Sequence, residues 1–267
     1  AENRGVLSFS IGADMHFAKL FNSGSISVST GTAVRIDRSD NLTGPTGNAT
    51  LANGQWSVLD IGQTSSLVVG AGAITTNAAD VFLLGNGARF DQLDGFTRND
   101  GTYRLFSHDY AFASKFTNNG LLQFDRSSVV SATNLENDGS IAVHDTAELR
   151  VSGRLDGKGT LLNEGTLTVL DGAAVSIAAS GNLSNGGAGQ VLNKGRWNIL
   201  ASPQGSASLA FGDAAPIKVN AADVLLQGTG ARFDQFEGSV EDNEGALTIV
   251  QRRFRAATLT NNGFLTA

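Results

Sequence analysis

The most specific chemistry in this 267-residue sequence is a six-residue block that occurs twice, Gly87-Ala-Arg-Phe-Asp-Gln92 and Gly230-Ala-Arg-Phe-Asp-Gln235. Each copy sets an arginine two residues from an aspartate, Arg89 with Asp91 and Arg232 with Asp234. A guanidinium and a carboxylate presented together can hold a sugar or a neighbouring molecule, and a second copy would add avidity. The same pairs can equally be structural ion pairs beside core residues Phe90 and Phe233, because duplication copies both kinds of residue alike. Asp80 and Asp223 are expected to fix a turn before a strand rather than to ligate calcium. His16, His108 and His144 follow no zinc-ligand spacing; the first two are expected on loops and the third just beyond a strand. Gly157-Lys-Gly-Thr160 lacks the glycine spacing of a phosphate loop, and Asn185–Gln190 lacks the aspartate of a calcium β-roll. No metal and no cofactor is expected. The acidic residues, Asp37, Asp40, Asp91, Asp94, Asp109, Asp125 and Asp145 among them, form no paired-carboxylate motif, so the chain reads as a protein that is not an enzyme.

The elements that position these residues follow from a shorter pattern. Nine glycines, Gly24, Gly54, Gly101, Gly120, Gly139, Gly165, Gly195, Gly245 and Gly263, carry apolar or small residues two and four positions later. Alternation of that kind reads as a turn followed by a half-buried strand. An asparagine stands two positions before most of them, at Asn22, Asn99, Asn118, Asn137, Asn163, Asn193, Asn243 and Asn261; before Gly54 it has shifted to Asn53. Glycine is expected to take a corner conformation with positive φ, and asparagine to bond to the same group one coil above.

Intervals between the glycines run 30, 47, 19, 19, 26, 30, 50 and 18, so the opening series returns at the end. A second repeat of 141 to 144 residues follows, with unit one at 24–164 and an incomplete unit two at 165–267. Residues 1–267 therefore read as one continuous β-solenoid segment with an internal duplication. The last residues, Leu259-Thr-Asn-Asn-Gly-Phe-Leu265, look like an interior repeat rather than a polar cap, which makes the chain a segment of a longer repetitive protein. Spacings of 18 and 19 suit one turn of a parallel β-helix, with about seven coils per unit. At about 4.8 Å between stacked strands the segment would extend roughly 60 Å. The competing fold is an antiparallel β-sandwich or meander, since Asn-Gly turns also close hairpins.

Composition agrees with such a fold: 33 glycines, 3 prolines and no cysteine leave rigidity to stacking, not to disulfides. Long helices are not expected, and Asp109 to Lys115 is at most a short one. Net charge is −6 with scattered charges, which argues against nucleic acid, and no apolar run is long enough to span a membrane. Arg252, Arg253 and Arg255 form the one basic cluster, read as a solvated strand edge alternating around buried Phe254, with an anion contact as the alternative.

Phrases such as Leu259-Thr-Asn-Asn-Gly-Phe-Leu265, Phe116-Thr-Asn-Asn-Gly-Leu-Leu122 and Leu162-Asn-Glu-Gly-Thr-Leu-Thr-Val169 resemble the repeats of large bacterial secreted surface proteins, namely autotransporter passenger domains and filamentous haemagglutinin-like adhesins. The resemblance covers nearly the whole chain. It implies a right-handed parallel β-helix at the extracellular face or surface of a bacterial cell. The expected function is a structural or adhesive shaft or fibre, with a glycan or cell-surface ligand and end-to-end self-association as candidate partners. The alternative is a polysaccharide-binding or polysaccharide-cleaving β-helix.

Overall fold

The computed structural model of the protein describes residues 1–112, 115–152, 160–185, 189–212, 215–256 and 258–267. The glycine-rich readings at Gly157–Thr160 and Asn185–Gln190 lie partly outside the described residues. The chain is a parallel β-solenoid, and Asp91–Leu93, a single 3-10 turn, is the one helical element among the described residues. No helix is long and apolar enough to cross a membrane. Where a short helix was conceivable after Asp109, Tyr110–Ala111 is a strand.

Two compact units divide the chain, Ala1–Ser128 and Val129–Ala267. They do not coincide with the repeat bounds at 24–164 and 165–267, because a sequence repeat fixes a period and leaves its phase open. In the first unit the strands after each motif glycine stack in register. Leu7, Ile26, Trp56, Val81, Tyr103 and Leu122 form one inward column, and Phe9, Val28, Val58, Leu83, Leu105 and Phe124 the next. A second face stacks Met15, Val34, Leu67 and Phe90. The second unit repeats the plan, with Ile141, Leu167, Trp197, Val224, Leu247 and Leu265 in one column and Val130, Leu149, Val175, Leu209 and Phe233 in another. Period-two alternation thus lines the interior with apolar side chains on every coil. Among the described residues six rung strands lie between Gly24 and Gly165, one fewer than the roughly seven coils expected, and the 47-residue interval holds two coils. Its degenerate coil carries Asn77-Ala-Ala79 in place of Asn-x-Gly.

Asparagine ladders run through successive coils in each unit and break where Leu51 and Leu192 stand opposite Asn77 and Asn220. Asn77 Nδ2 donates to Asn99 Oδ1 at 2.9 Å and Asn99 to Asn118 at 2.8 Å, while each second amide hydrogen reaches a carbonyl of the next coil, Thr102 and Leu121 at 3.1 Å. Asn137 with Asn163, and Asn220 with Asn243 and Asn261, do the same. Full burial makes these bonds obligatory, for Asn22, Asn77, Asn99, Asn118, Asn137, Asn163, Asn220 and Asn243 are all 0 % exposed.

Asn193 is not a corner residue. It is half-buried and donates to Ser184 Oγ at 2.8 Å. The ladder position of that coil is filled by Asn182, whose Oδ1 accepts from Asn163 N and whose Nδ2 donates to Asn163 O, both at 2.7 Å. Asn41 does the same for Asn22 in the first unit. These two coils leave the ladder to make a short antiparallel excursion, Leu42–Thr43 against Thr50–Leu51 and Leu183–Asn185 against Gln190–Leu192, and rejoin it. The antiparallel alternative survives only in these arms.

Most motif glycines are also present for another reason than the one expected. Only Gly54 and Gly195 have positive φ, at 75° and 73°. At Gly24, Gly120 and Gly165 an added Cβ would lie 2.0 Å from the carbonyl oxygen of the glycine one coil earlier, and at Gly101, Gly245 and Gly263 no more than 2.2 Å from a backbone oxygen. These are contact glycines, required by the approach of one backbone to the next.

Two predictions follow from these columns. Asn99→Ala removes the donors to Asn118 and Leu121 and the acceptor of Asn77, so urea denaturation should show a loss of about 2–4 kcal/mol. Gly120→Ala should cost about 3 kcal/mol or more by forcing coils apart. Gly12→Ala, where φ is +77° and nothing lies within 4 Å of the new methyl, should cost only about 1 kcal/mol.

Candidate functional site

Period-two alternation around Phe90 turns Arg89 outward from the strand Ala88–Phe90 and leaves Asp91 exposed at the start of the 3-10 turn. Phe90 and Phe233 are core, 2 % and 0 % exposed. Only the second copy closes an ion pair, Arg232 Nη2 to Asp234 Oδ1 at 3.3 Å between exposed side chains. Arg89 has no ion-pair partner among the described residues. The glutamine that ends each block is structural: Gln92 Oε1 accepts from Val69 N at 3.0 Å, and Gln235 Oε1 from Phe211 N at 2.8 Å.

Other sequence candidates disperse. Asp80 and Asp223 lie within long strands, not before them, and pair across coils with Arg104 at 2.8 Å and Arg196 at 2.7 Å. His16 lies in the strand Asp14–Phe17, not on a loop, with Nε2 2.8 Å from Asp37 Oδ2. The hydrogen bonds from His16 and then Arg35 hold the Asp37 carboxyl below its usual range. His144 follows the strand Ser140–Val143.

Arg89 borders a cleft of about 280 Å³ in the first unit. Asn86, Asp94, Tyr103, His108, Asp109 and Tyr110 line it with Arg89. Behind the lining tyrosines lies an aromatic cluster: Phe96 contacts Tyr103 and Tyr110 at ring-centroid distances of 4.9 and 6.2 Å, and Phe112 packs on Phe116 at 4.0 Å. Tyr110 Oη donates to Leu93 O at 2.7 Å. Tyr103 is 0 % exposed, and its hydroxyl, beside that of Tyr110, makes no well-formed hydrogen bond. Burial pushes both phenols far up, so they stay protonated.

His108 is buried, and its Nδ1 lies 2.7 Å from Gly85 O. A carbonyl only accepts, so Nδ1–H donates this bond. Asp94 is exposed at the rim. Desolvation by the packed wall, helped by Asp91, raises its carboxyl above the usual range against the opposing pull of Arg89 and His108. The coupling to His108 is electrostatic; no ion pair joins the two among the described residues.

The matching place in the second unit is occupied by the chain itself. Ser107 and His108 follow the strand Thr102–Phe106 just as Gln251 and Arg252 follow Ala246–Val250, and Ser107 and Gln251 share a positive φ of 47° and 53°. Gly95 and Gly238, at φ 82° and 78°, mark Asp94 and Glu237 as counterparts. The Arg252 side chain is 5 % exposed and bonds to the Glu237 carboxylate and the Ala231 carbonyl. Residues 252–256 form no strand, so the basic cluster is not a solvated strand edge; Phe254 is half-buried against Phe236 at 6.2 Å. Tyr103 and Tyr110 correspond to Leu247 and Phe254, which lack hydroxyls.

Sequence reasoning found Arg89 and passed over Asp94, Tyr103, His108 and Tyr110. The available signal was the mismatch between copies at otherwise aligned positions, a tyrosine facing a leucine and a histidine facing an arginine.

Asp94 yields a prediction with a definite sign. Its folded pKa lies above the unfolded value, so the ionised form opposes folding when the pH exceeds both, and the penalty fades as pH falls below the unfolded value. Asp94→Asn should therefore raise Tm at pH 7 by about 1 °C, a small gain because the group is solvated, and the gain should vanish near pH 3. Thermal scans of both proteins from pH 3 to pH 8 check this.

The chain matches no family, no curated protein and no solved structure.

Proposed function

We propose that the chain is a structural and adhesive repeat segment of a large secreted bacterial surface protein, a shaft or fibre that presents binding surfaces, and that it catalyses no reaction. The observation that carries this reading is where the repetition falls. Asparagines and contact glycines recur coil after coil at the stacking columns, whereas the exposed positions differ from coil to coil. A sequence under selection for length and rigidity repeats the residues that join coils, because each added coil needs only its neighbour. Absence of cysteine agrees, since stacking supplies the rigidity that small secreted domains take from disulfides. The varied outer positions leave room for attachment to glycans or to the surface of a cell.

Binding of the purified chain to arrayed polysaccharides and matrix proteins tests the proposal, with the eluate assayed for shortened glycan chains. Saturable binding without fragments is the expected result. Released fragments would replace the reading with a polysaccharide-cleaving enzyme, and a uniformly silent array would remove the adhesive half of it.

A further inference from the structure

We propose that the cleft between Arg89 and His108 is a binding site for a cationic side chain, the guanidinium of an arginine on a partner protein or peptide, which takes the place that Arg252 fills in the second unit. The proposal goes beyond the shaft reading and does not depend on it.

The second unit supplies the precedent. There a guanidinium lies in the matching position, bonded to the Glu237 carboxylate and the Ala231 carbonyl. Their counterparts, Asp94 and Ala88, line the open cleft of the first unit. His108 stands where Arg252 does, but its ring is turned to Gly85, and Asp94 has no ion pair among the described residues. The cleft keeps the acceptor and lacks the donor. Arg89 at its rim does not exclude a second guanidinium, because Arg232 coexists with Arg252 in the other copy.

The remaining groups suit the same ligand. Tyr110, half-buried in the cleft wall, adds an aromatic surface of the kind that favours a planar cation. Asp94 at the rim, with Asp91 beside it, supplies the negative charge. The Tyr103 hydroxyl is fully buried beside that of Tyr110 and makes no well-formed hydrogen bond, a cost that a native fold rarely carries unless something else completes the site. In the copy that is closed by its own arginine, that hydroxyl is gone.

The chain contains only two tyrosines, and both line the cleft, so ring-labelled tyrosine reports on this site alone. The test titrates the full chain, carrying 13C-labelled tyrosine, with Nα-acetyl-arginine amide and separately with its uncharged isostere, Nα-acetyl-citrulline amide. Saturable shifts of both tyrosine signals by the arginine compound, with a Kd on the order of millimolar, are expected. Citrulline should bind at least about tenfold more weakly, and Asp94→Asn should weaken arginine binding by a similar factor. His108→Arg, which gives the first unit its own plug, should abolish binding and raise Tm. No shift with arginine up to about 100 mM, or an equal response to citrulline, overturns the proposal. A silent polysaccharide array leaves this result untouched, so the two readings fail separately.

Discussion

Everything in this protein depends on one distance, the separation of stacked parallel strands, about 4.8 Å. Backbone hydrogen bonds set it, and each column of side chains must then tolerate an identical neighbour at that spacing. Apolar side chains meet the condition by packing like on like, as Val28 on Val58 and Leu83 on Leu105 do. Polar groups turned inward meet it only if donor and acceptor alternate along the stack. A primary amide does so by itself, since its oxygen faces one neighbour and its nitrogen the other. Serine has one donor where asparagine has two, and a charged residue would repel its own copy. The buried asparagines thus follow from the spacing, with the second amide hydrogen tying the turn to the strand after it.

Much of this was legible in the sequence because the constraint acts on every coil and leaves a regular trace. The apolar columns, the ladder through Asn99 and Asn118, and the long duplication were all visible in spacing alone. Glycine was found in the right places for an incorrect reason: local propensity suggests positive φ, and nothing local reveals a carbonyl one coil away. Asn193 misled for a related cause. It has the right offset from Gly195, yet the ladder selects by position in space, and an asparagine eleven residues earlier reaches that position first. The cleft was hidden because its groups lie on separate loops and strands, and Asp94, Tyr103 and His108 share no motif.

Duplication supplied two copies of one scaffold, and the pair separates support from specialisation. Phe90 and Phe233, Gln92 and Gln235, and Trp56 and Trp197 keep the same partners in both; the indole nitrogens, for example, donate to Asn53 O at 3.0 Å and Lys194 O at 3.1 Å. Those residues serve the coil. Where the copies differ, one pairs its carboxylate with its own arginine and the other leaves the Asp94 carboxylate at an open cleft. Stability and availability oppose each other at that place, as they commonly do at sites that bind something.

The paired excursions at Leu42–Thr43 and Leu183–Asn185 bear on how such a chain can change. Asn41 holds the column before the arm departs, and Ala49–Ala52 rejoin it by pairing with the next coil, so only the turn between the arm strands, residues 44–48, lies outside the strand pairing. A loop there can lengthen, shrink or be exchanged for another sequence without shifting the register of any coil. The fold thus carries its own insertion port, a position where new recognition elements can be tried by evolution, or by grafting, while the scaffold stays unchanged.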